Sequence, residues 1–324
     1  MTQKKDIKLQ EVEELLNTGL NNLYQEDNFK KYLKALSYFH QYSMSNSILI
    51  SMQNPNATAV AGYTTWQKLK RQVNKGQQGI KIYAPVFKKI KTIEVVDGQE
   101  VEKEKQFVSF RVVSVFDISQ TSGEPLPKLE VSKLAGKVEN YELFQDAFMK
   151  ASPVPIIFEN DVEHANGFYR IDLKEIVVKS SIEPLHKLST TVHEMVHATL
   201  HSIDQQSTYE NPRTQQEREL EAEGCSFVIL NHYGLDTSEK TFPYLASYAQ
   251  GENLKSFEQV LENIQKGANQ LTTKIDEVLN NKDLSLDQYL VLSETIKEHR
   301  SKSSLAKEGL DYLLHDNDID ADRE

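Results

Sequence analysis

Apolar residues recur every three or four positions through several long stretches of this chain, which is the spacing of amphipathic helices. The pattern predicts helices at 6–24, 28–40, 137–151, 256–280 and 284–299. Alternating apolar and polar residues at 80–87 instead predict a half-exposed strand. Residues 87–96 and 101–116 are expected to pair as a hairpin around Asp97-Gly98, because Asp-Gly is a strong hairpin turn signal.

The regular pattern breaks at 119–135, where Ser, Gly and Pro residues interrupt it, and we place a domain boundary there. Beyond it, short apolar runs at 156–158, 168–172 and 176–178 predict a small antiparallel sheet. The expected fold class is α+β, in four parts: an N-terminal α+β domain at 1–122, a linker at 123–136, a second domain at 137–255, and a helical C-terminal extension with an acidic tail at 256–324.

Composition narrows the class of protein. Hydrophobic residues make up 39% of the 324 residues and charged residues 26%, as in ordinary soluble proteins. The chain has no apolar run of membrane-spanning length and its N-terminal residues lack the apolar core of a signal peptide, so we expect no membrane partner. The single cysteine, Cys225, cannot form an internal disulfide, and we expect it to be a small core residue of a cytoplasmic protein.

Charge is unevenly distributed along the chain. The formal net charge is −11, yet the segment from Thr64 to Lys91 contains no Asp or Glu and eight basic residues: Lys68, Lys70, Arg71, Lys75, Lys81, Lys88, Lys89 and Lys91. A cationic segment in an acidic protein indicates a local site for a polyanion. Because aromatic residues are frequent in and just before this segment, single-stranded DNA is the expected ligand: cations follow the phosphates and rings stack on the bases.

The candidate DNA contacts are the basic, aromatic and amide side chains of this region. They are Tyr42, Asn46, Trp66, Lys68, Lys70, Arg71, Lys75 and Lys81. An alternative stays open, in which the lysines form a plain basic surface over an aromatic core. Trp66 fits either interpretation.

The sequence His193-Glu194-Met195-Val196-His197 is a His-Glu-x-x-His motif, set in an apolar pattern that predicts a buried helix. On a helix the two histidines lie on one face, where their neutral imidazoles can hold one Zn²⁺ ion. Glu194 is then the candidate catalytic residue, placed to take a proton from water. Ser189 or Thr190 is expected to cap the start of the helix. The alternative is a solvated helix face with two unrelated histidines.

A third metal ligand is expected from a second helix, because a catalytic zinc site has three protein ligands and one open position. Glu219 and Glu223 lie four residues apart and share a helix face. We predict Glu219 as the ligand and Glu223 as the hydrogen-bond partner of a ligating histidine, with Glu221 pointing elsewhere. The alternative is an acidic, solvated face that includes Glu217, Glu221 and Glu223.

Several motifs of the first half occur in the order found in ArdC-type antirestriction proteins. They are Phe39-His40-Gln41-Tyr42-Ser43 with Asn46, Gln53-Asn54-Pro55, Ala61-Gly62-Tyr63, Trp66, and Val115-Phe116-Asp117-Ile118-Ser119-Gln120-Thr121. On these motifs, residues 8–122 resemble the ArdC N-terminal domain, and the resemblance implies non-specific binding of single-stranded DNA.

The second half resembles the zincin-like metallopeptidase domain that follows in those proteins, and more distantly the ImmA/IrrE-type peptidases. The resemblance rests on His193-Glu194-x-x-His197 and Glu219-x-x-Ala222-Glu223, and it extends over about 137–250. It implies a conjugative plasmid or integrative element as the setting, where such proteins shield incoming DNA from host restriction. The helices after about residue 255 resemble no family pattern, so the sequence assigns them no role.

Peptide hydrolysis also needs a group that stabilises the tetrahedral intermediate. His201, Tyr209, His232 and Tyr233 are the candidates, each with a structural alternative. Two rival functions stay open beside a single-strand-binding protein with a zinc metallopeptidase-like domain. One is a DNA-binding protein whose metal is purely structural, and the other is a regulatory zinc endopeptidase that cleaves a repressor. The sequence does not identify the protein or peptide that such an enzyme would cleave.

Overall fold

The first half of the chain combines short helices with one long hairpin. Helices α1 (Thr2–Asn22), α2 (Glu26–Phe39) and α3 (Met44–Gln53) precede strand β1 (Val60–Ala61), helix α4 (Tyr63–Lys68) and strand β2 (Arg71–Val73). Strands β3 (Ile80–Val96) and β4 (Gln99–Asp117) form the hairpin, and a 3-10 turn (Ile118–Gln120) leads into β5 (Thr121–Gly123). This computed structural model describes residues 2–96, 99–125, 141–160, 165–202, 213–235 and 254–280, with the single residues 162, 242 and 245.

The predicted hairpin is confirmed, and it is longer than the pattern indicated. β3 pairs antiparallel with β4 along its whole length, from Ile80 opposite Val115 to Val96 opposite Gln99. The register leaves a two-residue connection, as expected for an Asp-Gly turn, although residues 97–98 themselves lie outside the described part of the chain. β1 pairs with the other edge of β4, and β2 and β5 form a separate two-stranded ribbon.

The second half places a small sheet beside long helices, which confirms the expected α+β class. Its elements are α5 (Tyr141–Ala151), β6 (Ile156–Glu159), β7 (Gly167–Arg170), β8 (Glu175–Lys179), α6 (Pro184–Leu200), α7 (Gln215–His232) and α8 (Leu254–Asn280). The helix expected at 284–299 and the acidic tail lie outside the described residues. Within the described residues, no helix is both long and apolar enough to cross a membrane.

The small sheet is mixed, so the prediction of an antiparallel sheet was wrong for one of its two pairings. Its strand order is β6-β8-β7, with β7 antiparallel and β6 parallel to β8. β8 is central, and its residues Ile176, Val177 and Val178 are fully buried, which is typical of a strand covered on both faces. Because a short turn joins β7 to β8, β6 is left to pair with the other edge of β8.

The two helices that carry the His-Glu-x-x-His motif and its acidic partner differ in how they begin. α6 begins at Pro184, whose fixed φ suits the first position of a helix. The predicted cap was therefore wrong, because Ser189 and Thr190 lie inside the helix. α7 begins at a capping box, in which the side chains of Thr214 and Glu217 each accept a hydrogen bond from the other's backbone N–H.

One hydrophobic core joins elements from both ends of the chain. Phe29 and Leu33 of α2 belong to the same buried cluster as residues of α5, α6, α7 and α8. The α7–α8 contact is close, since a Cβ built on Gly224 would lie 2.6 Å from Ile264 Cδ1. The domain limits drawn from the sequence remain predictions, and α2 of the first part and α8 of the last part both pack on α7.

Candidate metal centre and cationic surface

Helices α6 and α7 bring the predicted metal ligands together. His193 Nε2 lies 3.1 Å from His197 Nε2, and these atoms lie 3.4 and 3.8 Å from the two carboxylate oxygens of Glu219. Among the described residues, these three form a group whose ligand atoms all lie within 4.8 Å of one another. The three side chains therefore converge on one point between the helices.

The donor set fits a small divalent ion. Tetrahedral coordination with bond lengths of about 2.0–2.1 Å places neighbouring ligand atoms about 3.3 Å apart. The observed separations of 3.1, 3.4 and 3.8 Å lie around that value. Two imidazole nitrogens and one carboxylate also form a donor set that Zn²⁺ accepts.

Electrostatics keep His197 and Glu219 in the forms that bind a metal. Burial lowers the pKa of His197 to about 3, with further contributions from His193 and His201. The hydrogen bond with His193 lowers the pKa of Glu219, against the effect of burial. At neutral pH His197 is therefore a neutral imidazole and Glu219 a carboxylate, as metal binding requires.

Glu194 lies beside this group on the side of strand β7. Glu194 is only 8% exposed, and its carboxylate accepts a hydrogen bond from the backbone N–H of Tyr169. Burial raises the pKa of Glu194, while His193 acts in the opposite direction. The structure thus holds Glu194 at the metal group with a carboxyl whose proton affinity exceeds that of an exposed glutamate.

Glu217 and Glu221 of α7 are buried and Glu223 is half-buried, which contradicts the solvated acidic face considered for them. Glu221 was expected to point away from the metal ligands; it is not one of the three converging residues, and its Oε2 lies 2.8 Å from His201 Nε2. Burial raises the pKa of Glu221 to about 7, against the effects of Asn263 and Arg213. Sequence reasoning missed this contact because it depends on how α6 crosses α7. Glu223 is half-buried, and its role as a partner of a ligating histidine stays a prediction.

The residues considered for stabilising the tetrahedral intermediate lie in different parts of the structure. His201 lies directly behind His197, with their Nδ1 atoms 2.9 Å apart. His232 and Tyr233 instead tie α7 to its neighbours, through the backbone oxygen of Ser37 and the carboxylate of Asp276. Tyr209 lies outside the described residues. No candidate is thereby assigned to this role.

Three of the predicted DNA-contacting lysines form an exposed cationic surface around α4 and β2. Lys68, Lys70 and Lys75 are exposed, and Lys81 is half-buried with its Nζ donating to Ser114 Oγ at 2.8 Å. Tyr63, the first residue of α4, is 45% exposed. This surface, defined by Tyr63, Lys68, Lys70 and Lys75, is called the cationic surface below.

Trp66 is not part of that surface, and its prediction as a stacking residue was wrong. It is 1% exposed, and its indole N–H donates to the carbonyl oxygen of Phe116 at 2.9 Å. The indole therefore packs α4 against β4 and presents no face on which a base can stack. Sequence position next to the lysines did not reveal this, because α4 turns the tryptophan inward and Tyr63 outward.

Arg71 is also used within the fold. Its Nε donates to Thr121 Oγ1 at 2.8 Å and its Nη2 to the Thr121 carbonyl at 3.0 Å, while Nη1 donates to the carbonyls of Gly123 and Glu124. The guanidinium thus fastens β2 to β5 and the residue that follows it. Four of its five N–H donors are thereby engaged within the fold, and the role of Arg71 as a phosphate contact stays a prediction.

Asn46 and Tyr42 have structural partners as well. Asn46 Oδ1 accepts from the backbone N–H of Tyr83, and its Nδ2 donates to the Tyr83 carbonyl, both at 2.9 Å. Gln53, two helical turns later, makes the same pair of bonds to Lys81 at 2.8 Å. Tyr42 donates its hydroxyl to the Val60 carbonyl at 3.1 Å, and burial raises its pKa to about 12. The two amides therefore dock α3 on the open edge of β3 and are not available to bases.

Comparison with known proteins bears on the first part of the chain. The family model of the N-terminal domain of anti-restriction factor ArdC matches residues 10–116. Residues 10–116 form an ArdC-type N-terminal domain. The resemblance drawn from the motifs between 8 and 122 is thereby confirmed, and this domain contains the docked α3, the hairpin and the cationic surface.

Two further likenesses extend beyond this ArdC-type domain. An uncharacterised protein of Bacillus anthracis is 27% identical over 299 residues, which cover 78% of this chain and 49% of that protein, so the chain spans about half the length of that relative. Crystal structures of the antirestriction protein ArdC from plasmid R388 are also similar. The metal-free structure has a TM-score of 0.46 at 19% identity, covering 75% of this chain and 87% of that one, and the Mn(II)-bound structure has 0.46 at 18%, covering 75% and 86%.

Proposed function

We propose that this chain is an ArdC-type antirestriction protein that binds single-stranded DNA and holds one divalent metal ion, Zn²⁺, in a peptidase-type centre. The observation that carries the proposal is the convergence of His193, His197 and Glu219 at separations of 3.1 to 3.8 Å, with Glu194 beside them. Only three such ligands are found among the described residues, which supports a centre with an open position over a purely structural site.

The chemistry follows from the residues. A Zn²⁺ ion held there would supply Lewis acidity, which polarises a carbonyl group and lowers the pKa of water to about 7. Glu194 takes the proton from that water at its carboxylate and returns it to the leaving amine. The raised pKa of Glu194 supports the first step, because a carboxylate that binds a proton more tightly is a better base.

A peptide substrate is supported by the strand beside Glu194. β7 is an edge strand of its sheet, and the backbone N–H of its residue Tyr169 bonds to Glu194. Its neighbour Phe168 is among the exposed large hydrophobic residues. An extended peptide that pairs with an exposed edge would lie along β7 and across the metal group.

The test of the hydrolytic part is a pair of glutamate variants, one within α6 and one directly before it. The Zn²⁺-loaded wild type is expected to cleave members of a fluorogenic peptide library, and Glu194→Gln to retain zinc but lose cleavage, because an amide cannot act as a base. Glu183→Gln, at the exposed start of the same helix, is the matched control and should cleave like the wild type. Undiminished cleavage by Glu194→Gln would remove Glu194 from the mechanism.

Binding of single-stranded DNA is supported by the ArdC-type domain and by the cationic surface. Lys68, Lys70 and Lys75 are exposed, and we propose them as the phosphate contacts. The exposed ring of Tyr63 takes the stacking role that was predicted for the buried Trp66. Each phosphate neutralised contributes about −0.7 to the slope of log K against log salt for a single strand. The three lysines together would therefore account for a slope of about −2.

Fluorescence anisotropy with labelled single strands tests this part on the full chain. Lys68, Lys70 and Lys75 changed together to Ala should flatten the salt slope by about 2, whereas Tyr63→Ala should weaken binding by roughly 1–3 kcal/mol with little change in slope. Lys31, Lys150 and Lys255, which are exposed elsewhere, provide a charge-matched control. An unchanged slope in the first variant, or equal affinity for duplex at matched salt, would contradict the proposed surface.

A further inference from the structure

A continuous line of hydrogen-bonding groups runs from the metal group into the core. His197 Nδ1 lies 2.9 Å from His201 Nδ1, and His201 Nε2 lies 2.8 Å from Glu221 Oε2. The other oxygen of Glu221 accepts from Asn263 Nδ2 at 2.9 Å, and the guanidinium of Arg213 lies 3.5 Å from the same oxygen. His201, Glu221 and Asn263 are all buried, so these contacts are shielded from water.

The direction of these bonds is fixed once His197 binds a metal through Nε2. A neutral imidazole carries one proton, so a ligating Nε2 leaves that proton on Nδ1. His197 Nδ1–H must then donate to His201 Nδ1. His201 in turn carries its own proton on Nε2 and donates it to Glu221, which needs only to accept.

We infer that His201 and Glu221 are positioning residues, which hold His197 in the tautomer and orientation that bind a metal. This inference rests on the proposed metal centre. It adds to that centre two hydrogen-bonded residues, His201 and Glu221, that lie behind the ligand His197. The reverse direction of the bonds would place a proton on His197 Nε2 and block that ligand atom. Groups that orient a ligating histidine in this way typically change metal affinity by about 10–100-fold when they are removed.

This arrangement also gives a role to helix α8, which the sequence left without one. Asn263 comes from α8 and fixes the Glu221 oxygen that His201 does not use. α8 packs closely here, because a Cβ on Gly267 would lie 2.8 Å from Leu200 Cδ1 and 2.9 Å from Cys225 Sγ. The end of α6, and with it His201, is thus held against α7 and α8 together.

The first test is the tautomeric state of the histidines in the Zn²⁺-loaded full chain. Long-range ¹H–¹⁵N correlation spectra distinguish an Nδ1–H imidazole from an Nε2–H imidazole. The expected result is Nδ1–H for His197 and Nε2–H for His201. An Nδ1–H tautomer for His201, or direct coordination of zinc by His201, would overturn the inference.

The second test measures Zn²⁺ affinity by competition with a chromophoric chelator. His201→Gln and Glu221→Gln should each weaken binding by about 10–100-fold. Because Glu221 acts through His201, adding Glu221→Gln to His201→Gln should cause no more than about a further twofold loss. His186→Gln, which changes an exposed histidine of the same helix, should bind zinc like the wild type.

The outcomes separate this inference from the metal centre on which it rests. If the wild type itself binds no zinc, the proposed centre fails. If the wild type binds zinc and both single variants bind equally well, only the positioning role fails. If the two substitutions weaken Zn²⁺ binding independently, the fold-losses in affinity multiply in the double variant. That result would also contradict the inference that Glu221 acts through His201. Unfolding of the metal-free variants, followed by circular dichroism, identifies any loss that arises from misfolding, and the tautomer measurement needs no variant.

Discussion

The amide of Asn46 gives the sharpest test of how the ArdC-type domain is built. Asn46→Ala removes both of its 2.9 Å hydrogen bonds to the backbone of Tyr83. A neutral hydrogen bond contributes about 0.5–1.5 kcal/mol, so the loss should be about 1–3 kcal/mol. Alanine has a higher helix propensity than asparagine, which offsets up to about 0.7 kcal/mol of this loss. The expected net loss in the free energy of unfolding is therefore about 0.3–3 kcal/mol, with a midpoint near 1.6 kcal/mol.

The assay is urea unfolding followed by tryptophan fluorescence. The chain contains a single tryptophan, Trp66, and it is buried in the ArdC-type domain, so its emission reports on that domain. Gln67→Ala removes an exposed amide from the neighbouring helix and should change the stability by less than about 0.5 kcal/mol. Gln53→Ala removes an equivalent pair of bonds and should resemble Asn46→Ala.

Two results would refute this reasoning. One is an Asn46→Ala variant as stable as the Gln67→Ala control. The other is a stable Asn46→Ala variant that binds single-stranded DNA tenfold more weakly, since that would restore Asn46 as a DNA contact. The docked arrangement instead predicts that folded Asn46→Ala binds DNA with nearly the affinity of the wild type.

Three further predictions concern Trp66 and two residues that follow the ArdC-type domain, Asp117 and Gly123. Burial raises the pKa of Asp117, but hydrogen bonds from Ser119 and from backbone N–H groups leave it lowered, so its contribution to stability is present above about pH 4 and is lost as the pH falls through the folded pKa. Asp117→Asn should therefore cost about 1.5–3 kcal/mol at pH 7 and less in acid, measured by urea unfolding at both pH values. Trp66→Phe should lower the thermal stability by about 1–2 kcal/mol, followed by circular dichroism, with DNA affinity unchanged in the folded protein. Gly123→Ala should also destabilise, because φ there is 141° and a Cβ would lie 2.3 Å from the Lys70 carbonyl oxygen, and a melting temperature equal to that of the wild type would contradict this.

Much of the fold could be predicted from the spacing of apolar residues along the sequence. The long hairpin followed from alternation and an Asp-Gly turn, because both depend on neighbouring residues. The parallel direction of β6 could not be predicted from the sequence. Three short apolar runs do not specify which edge of β8 each of the other strands pairs with.

Side-chain roles were harder to predict where they depend on distant elements. The spacing of His193 and His197 is local, so helical geometry alone placed them together. Trp66 and Asn46 have the chemistry of DNA contacts, but packing against β4 and β3 decides their exposure. Glu221 depends on contacts between α6, α7 and α8, and no local pattern encodes those contacts.

The central claim is that His193, His197 and Glu219 hold one divalent metal ion. The most direct measurement is the metal content of the purified full chain after dialysis with Zn²⁺, and separately with Mn²⁺, determined by mass spectrometry. The account predicts about one Zn²⁺ per wild-type chain and essentially none in the His193→Ala/His197→Ala double variant. A double variant that keeps zinc at wild-type occupancy would contradict it.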